Sequence, residues 1–237
     1  MSQRIMITGA TRGIGLELSR CFLERGERVW AGFRASSNRD QLEELAQKFP
    51  STLVPIEIDV VSDESTSNAA ERFSNAESGL DILVNNAALL PDAGGVPLTE
   101  VDFQQIRDAF ETNTLGPLRV VRAFLPFLHN GVEPRIANIT SGMASLADRD
   151  EWLYYAYSIS KTALNMASRI LAVDPCASEI TTVIFSPGWV KTEMGGPDAP
   201  LSVEESATAL TNAILNLSPG DNGLWLDRFG TADTYRW

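Results

Sequence analysis

A chain of 237 residues, 44% hydrophobic and 21% charged, can bury a large core and fits one α/β domain spanning 1–237. Its 31 acidic against 19 basic residues leave a formal charge of −12, which argues against nucleic acid or an anionic membrane as a main partner. No stretch approaches the roughly 20 apolar residues of a membrane span, and a glycine turn from Gly9 leaves no room for the apolar part of a signal peptide, so a cytoplasmic protein is expected.

Arg4 to Thr8 is a short apolar run bounded by glycine and reads as a buried strand. Gly9, Thr11, Arg12, Gly13, Ile14 and Gly15 follow in a G-x3-G-x-G turn that opens a helical pattern from Leu16. Strand, glycine turn and helix together make a nucleotide-phosphate site: the backbone approaches closely, and free N–H groups at the helix start face an anion. The next strand, Arg28 to Phe33, ends at Arg34 with no Asp or Glu where a ribose 2′-OH ligand would stand. Arginine there suits a 2′-phosphate, and Arg12 can close on the same group, so NADP is expected over NAD unless both are ordinary surface charges.

A helix over 39–48 leads to a strand over 52–58 that ends at Asp59-Val60. The Asp59 carboxylate either accepts from an adenine amino group or forms a turn. A helix over 64–77 precedes a strand from Leu80 to Val84, then Asn85, Asn86, Ala87 and Ala88, small and amide side chains suited to a cofactor crevice. A long helix over 102–129 carries Asn113 among apolar neighbours, where it bonds nearby backbone or holds a water. The strand Arg135 to Thr140 ends at Ser141, the strand Thr181 to Phe185 ends at Ser186-Pro187-Gly188, and Leu224 to Leu226 forms a last strand after a helix over 203–217. Alternating strands and helices specify a Rossmann-like, doubly wound parallel sheet of about seven strands with helices on both faces.

Tyr157 and Lys161 stand four apart in a helical stretch, on one face and one turn apart. An ammonium beside a phenol is expected to lower its pKa by roughly 1–3 units from about 10, making an acid/base pair for an oxygen atom. Tyr154 and Tyr155 have Ser158 and Ile159 at the same offset and no cation in register. Cys21 and Cys176 sit in no ligand motif and read as free thiols of a reducing compartment. With a single histidine, His129, beside a helix end, no metal site is expected.

Taken together, Thr8-Gly9-x3-Gly13-Ile14-Gly15, Asp59-Val60, Asn85-Asn86-Ala87, Asn113, Ser141, Tyr157-x3-Lys161 and Pro187-Gly188 resemble the short-chain dehydrogenase/reductase family over essentially the whole chain. The stretches from Tyr155 to Met166 and from Pro187 to Gly196 are similar to its C-factor-like, or sniffer-like, carbonyl reductases. The resemblance implies an NADPH-dependent reductase of aldehydes or ketones. Tyr157 would give the proton, Lys161 would tune it and bond the nicotinamide ribose, and Ser141 would hold the carbonyl oxygen. Asn113 would place a water linking Lys161 to solvent. Asp59 with Val60 would contact adenine, Asn86 would line the ribose, and the Val190 backbone and Thr192 hydroxyl would fix the carboxamide. It equally admits an NADP+-dependent alcohol dehydrogenase, or a cofactor-binding signalling protein without relevant turnover. The partner is then a small molecule, and monomer, homodimer and homotetramer all lie within the family's range.

Three departures from the family pattern stand out. Ala88 occupies a usual glycine position. Ser141 precedes Tyr157 by 16 positions, so Ser145, 12 before it, competes for the same role, and an insertion from Asp148 to Trp152 is expected to rim the pocket. The segment after Pro187 is short, with Gly195-Gly196-Pro197 in it, so any lid is small. Leu89, Met143, Trp152, Trp189 and Met194 are expected to line an apolar substrate site.

Overall fold

The computed structural model describes residues 2–92, 94–150, 153–232 and 234–237, so Trp152 of the expected pocket lining lies outside the described residues. Seven strands form one sheet: β1 (Arg4–Ile7), β2 (Arg28–Phe33), β3 (Leu53–Glu57), β4 (Ile82–Asn85), β5 (Arg135–Ile139), β6 (Thr181–Ser186) and β7 (Trp225–Asp227). Their order is β3-β2-β1-β4-β5-β6-β7 and every pairing is parallel. The helices between them are α1 (Gly13–Glu24), α2 (Asp40–Lys48), α3 (Asp63–Ser74), α4 (Phe103–Phe110), α5 (Gly116–Leu128), α6 (Tyr155–Leu171) and α7 (Val203–Leu215).

Alternation along β1 explains why both faces are covered. Ile5 and Ile7 point into a cluster with Leu18, Phe22, Leu42 and Leu210, under α1, α2 and α7. Met6 points the other way, into a cluster with Trp30, Phe73, Val120 and Phe124, under α3 and α5. Phe73 packs on Trp30 and Phe124 with ring centroids 5.0 and 5.5 Å apart. The sequential order of the strands reverses between β1 and β4, neighbours in the middle of the sheet. The crevice of a doubly wound sheet opens there, at the carboxyl ends of the strands. Among the described residues no helix is long and apolar enough to cross a membrane.

Asp81 pins the opposite edge of the sheet. It is 2% exposed and accepts from Arg4 Nε at 3.0 Å and Nη2 at 2.8 Å, from Arg4 N at 2.7 Å and from Val132 N at 2.7 Å. Burial alone would raise its pKa, but the Arg4 guanidinium and the two N–H groups hold it below the usual carboxylate range. A depressed native pKa stabilises the fold above the unfolded value, and this contribution is lost as the pH falls through the native one. Asp81→Asn is expected to lower the unfolding free energy by about 2 kcal/mol at neutral pH and to flatten the acid limb, read from urea midpoints between pH 3 and 7.

The helix expected over 102–129 is interrupted. Glu111–Leu115 forms a π turn between α4 and α5. Pro117 has no N–H to donate to the carbonyl of Asn113, four residues before it, so the α-helical ladder is lost at that point. The Gly116 N–H instead reaches back to Glu111 O. π turns of this kind concentrate at functional sites, and this one turns Asn113 and Thr114 into the interior.

Candidate active site

Helix α6 presents Tyr157 and Lys161, 8% and 2% exposed, toward the end of β5. Its first residue follows Tyr154 in the left-handed region (φ 56°), so no Tyr154 side chain caps the helix. The Asp92 carboxylate does so from the loop after β4, accepting from Ala156 N at 2.8 Å. Lys161 Nζ donates to Ile139 O at 2.7 Å and lies 5.7 Å from the centre of the Tyr157 ring.

The shift at the phenol is opposite in sign to the one the helical spacing predicts. Burial pushes Tyr157 up to about 12, against which the Ser141 hydroxyl, facing it, pulls down. Burial also pushes Lys161 down to about 7. Burial therefore decides the sign at the phenol, whatever the helical spacing. Burial of the pair thus favours the proton on the tyrosine.

The two serines are separated by their partners. Ser141 sits at the end of β5 beside Tyr157, and its oxygen accepts from Met143 N at 3.2 Å. Ser145 is buried away from the phenol, bonded to Asp148 at 3.0 Å and to Arg236 O. Asn113, fully buried, takes the backbone-bonding alternative: it donates to Leu89 O at 2.8 Å and Ser160 Oγ at 2.9 Å and accepts from Leu89 N at 2.7 Å. Its side chain holds the loop after β4.

The glycine turn is built by contact with Asn86 and Ala87. Asn86 Nδ2 donates to Thr8 O at 3.0 Å and Gly9 O at 3.1 Å, while Asn86 N and Ala87 N donate to Thr8 Oγ1 at 3.1 Å. Gly9 (φ 67°) has Ala87 Cα 2.9 Å from where a Cβ would lie, and at Gly15 a Cβ would collide with Gly9 O and Asn86 Nδ2. Ile14 packs into the core beneath, and Thr11 is half-buried in the turn. Helices α3 and α7 begin at Ser62 and Ser202 caps with acidic residues in their first turns; α1 has neither a side-chain cap nor an acid there. A helix start of this kind, with neither cap nor acid, can hold an anion.

Asp59 Oδ1 accepts from Val61 N at 3.2 Å in a turn just beyond β3, and Val60 is buried under Gly116. Beyond β6, the Pro187 carbonyl accepts from Ser206 Oγ at 2.8 Å, Gly188 adopts φ 82°, and Val190 bridges to Leu201. Thr192 faces Gly13, its methyl 3.4 Å from a Cβ placed there, so the loop after β6 closes on the glycine turn. That loop is folded on itself, with Trp189 Nε1 donating to Gly195 O at 2.7 Å and Gly195 N to Thr192 Oγ1 at 2.9 Å.

A family profile described as short chain dehydrogenase matches residues 3–200. The chain belongs to the short-chain dehydrogenase family. Among relatives of this dehydrogenase, the C-signal protein of Myxococcus xanthus is 41% identical over 152 residues, 64% of this chain and 90% of its own length. The carbonyl reductase Sniffer of D. melanogaster superimposes with a TM-score of 0.91 at 30% identity, covering both chains fully. An NADPH-bound carbonyl reductase from chicken fatty liver superimposes with a TM-score of 0.88 at 31% identity, over 100% of this chain and 99% of its own. Both likenesses set this dehydrogenase in the C-factor-like and sniffer-like branch.

Several residues of this dehydrogenase site escape a reading of the sequence. Glu193 forms an ion pair with Arg12 across the mouth of the crevice, the two side chains 76% and 65% exposed. Arg34 is exposed at the end of β2. Arg39 lies nearby, its guanidinium 4.9 Å from the centre of the Phe33 ring and 3.6 Å from Glu43. Asp92, which caps α6, carries no motif. Glu193 and Asp92 are recognised only through partners distant in sequence and Arg39 through its packing on Phe33, whereas Arg34 is the arginine that the end of the strand already marked. Met143 is half-buried beside Ser141 and Leu89 half-buried against Asn113, whereas Trp189 and Met194 stand more open, on the loop after β6.

Proposed function

We propose that this short-chain dehydrogenase reduces an aldehyde or ketone with NADPH in the cytoplasm, with Tyr157 as the proton donor. The observation that carries the reading is the buried Tyr157, facing Ser141 and one helical turn from Lys161, at the carboxyl edge of β5 beside the crevice. The residues fit a dinucleotide: α1 starts uncapped, Gly15 leaves no room for a side chain, and Arg12 and Arg34 offer cations where an acid is absent. When bound, the nicotinamide supplies the hydride.

The chain's own groups then handle the oxygen. Ser141 holds the carbonyl, and a phenol that burial keeps protonated delivers its proton as negative charge develops there. Lys161, with one acceptor at Ile139 O, has N–H groups left for the ribose and for stabilising the phenolate once the proton is gone. The Asn113 carbonyl holds the water that returns a proton through Lys161. Val190 and Thr192 close the carboxamide side, and Asp59 and Asn86 border the adenosine. The same groups run in reverse on an alcohol, with the cofactor ratio setting direction.

A signalling role without turnover is the second reading, and the 41% identity to C-signal favours keeping it. NADPH oxidation by the purified protein across aldehydes, ketones and vicinal diketones separates the two. Turnover of at least one carbonyl is expected. Tight NADPH binding with no oxidation across the whole panel would favour the signalling reading.

A further inference from the structure

Residues after β7 return across the molecule to the loop that follows Ser141. The Asp227 carboxylate gathers Phe229 N and Thr231 N, both at 2.9 Å, and Thr234 Oγ1 at 3.1 Å, which turns the chain back. Tyr235 then stacks on the buried Trp225 with centroids 5.2 Å apart and planes 16° from parallel. The same ring edge abuts Gly142, where a Cβ would lie 2.7 Å from Tyr235 Cε1. Only glycine at 142 lets the ring sit there.

Polar contacts lock the two segments together. Arg236 reaches Asp148 through Nε at 2.6 Å, through Nη2, and through its backbone N at 3.2 Å. Ser145 Oγ donates to Arg236 O, and Ala147 N donates to Trp237 O at 3.1 Å. Trp237 is itself held, 5.4 Å from Trp225 and under the Arg169 guanidinium at 5.7 Å. Gly142–Asp148 is thus fixed at one end by β5, through Ser141, and within by Thr162 Oγ1 and Arg149 Nη2, which donate to Ala144 O at 3.0 Å and Met143 O at 2.6 Å; its far half is held by three residues about 90 positions away. Isolated exposed ion pairs contribute little, but here the pair is one of several contacts, three of them to backbone, on the same seven residues.

We infer that Tyr235, Arg236 and Trp237 form a clasp on the Gly142–Asp148 loop that sets the position of Ser141, making Tyr235 and Arg236 positioning residues for carbonyl reduction. The inference rests on the reading of Ser141 as the group that holds the carbonyl. It accounts for the greater distance between Ser141 and Tyr157, since a longer connection needs an outside support to keep a side chain in place.

Full-chain variants Tyr235→Ala, Tyr235→Phe, Arg236→Ala and Arg236→Lys test it. Amide hydrogen exchange of residues 142–148, measured without substrate, should quicken about tenfold or more in the two alanine variants, because local opening loses its restraint. Displacing a reacting group by about an ångström costs up to about a hundredfold in rate, so kcat should fall roughly ten- to hundredfold. NADPH affinity, read by nicotinamide fluorescence, should stay within about twofold, since the clasp touches no cofactor-binding residue. Tyr235→Phe keeps the ring and should match the wild type, and Arg236→Lys should fall between. Unchanged exchange at 142–148 overturns the clasp, and so does faster exchange with kcat intact, or equal loss of kcat and NADPH affinity. If the alanine variants do not fold, Arg236→Lys decides by the same readouts. A wild type that reduces no carbonyl sinks the proposed function while the exchange measurement still decides whether the clasp exists.

Discussion

Tyr157→Phe is expected to reduce single-turnover NADPH oxidation by about a thousandfold or more, within the range for removing a positioned general acid. Phenylalanine keeps the ring and its burial, so the core around α6 stays intact and NADPH affinity should be unchanged. A variant with half the wild-type rate would mean that another group delivers the proton. Lys161→Met, its partner in the same test, should lose turnover comparably and yet gain stability. The ammonium is 2% exposed with one acceptor, and its native pKa of about 7 lies below the unfolded value of about 10.4. Between those values the unfolded chain binds more protons than the native one, so wild-type stability should rise with pH across that window. Methionine removes both that slope and the penalty at lower pH. Leaving Ile139 O unpaired costs about 1–3 kcal/mol, less than confining a charge in apolar surroundings. The thermal midpoint at pH 7 should therefore rise, by about 2–4 °C per kcal/mol gained in a chain of this size. A lower midpoint would show that the lysine is better solvated than its burial implies.

The stability expected of Lys161→Met depends on burial, which the sequence discloses only in part. Periodicity is local, so β1 from its apolar run, α6 from its helical face and the alternation that makes a parallel sheet were all legible. So were the positions of Tyr157, Lys161 and Ser141, because strand ends and helical turns place them without long-range information. The sign of the Tyr157 shift was not, because it depends on how deeply β5 and α6 bury the pair. Spacing puts a cation beside a phenol but says nothing of solvent. The π turn at Glu111–Leu115 was written in Pro117, yet a single missing N–H among apolar residues looks like an ordinary helix. Partners far apart in the chain were invisible: Arg12 with Glu193, Asp92 with Ala156, Arg236 with Asp148. Such pairs are chosen by packing, and exposed charges offer no pattern to read.

The Arg12–Glu193 pair bears directly on which cofactor is held. Arg34→Asp should weaken NADPH binding by about a hundredfold, since a charge-assisted bond of about 1.5–3 kcal/mol is replaced by repulsion. NADH affinity should change by less than about threefold or improve, because a carboxylate at the end of β2 can accept from a 2′-OH. On the proposal that Arg12 closes on the same phosphate, Glu193 would act with the opposite sign, by occupying the Arg12 guanidinium. Both side chains are largely exposed, so their pair is worth only about 0.2–1 kcal/mol. Glu193→Gln should accordingly tighten NADPH about two- to fivefold and leave NADH untouched. Titrations of tryptophan-to-nicotinamide energy transfer at low salt give both constants. Equal losses for the two cofactors in Arg34→Asp would remove the 2′-phosphate from that arginine. An unmoved NADPH constant in Glu193→Gln would show that Arg12 does not reach the phosphate, leaving cofactor choice to the end of β2 alone.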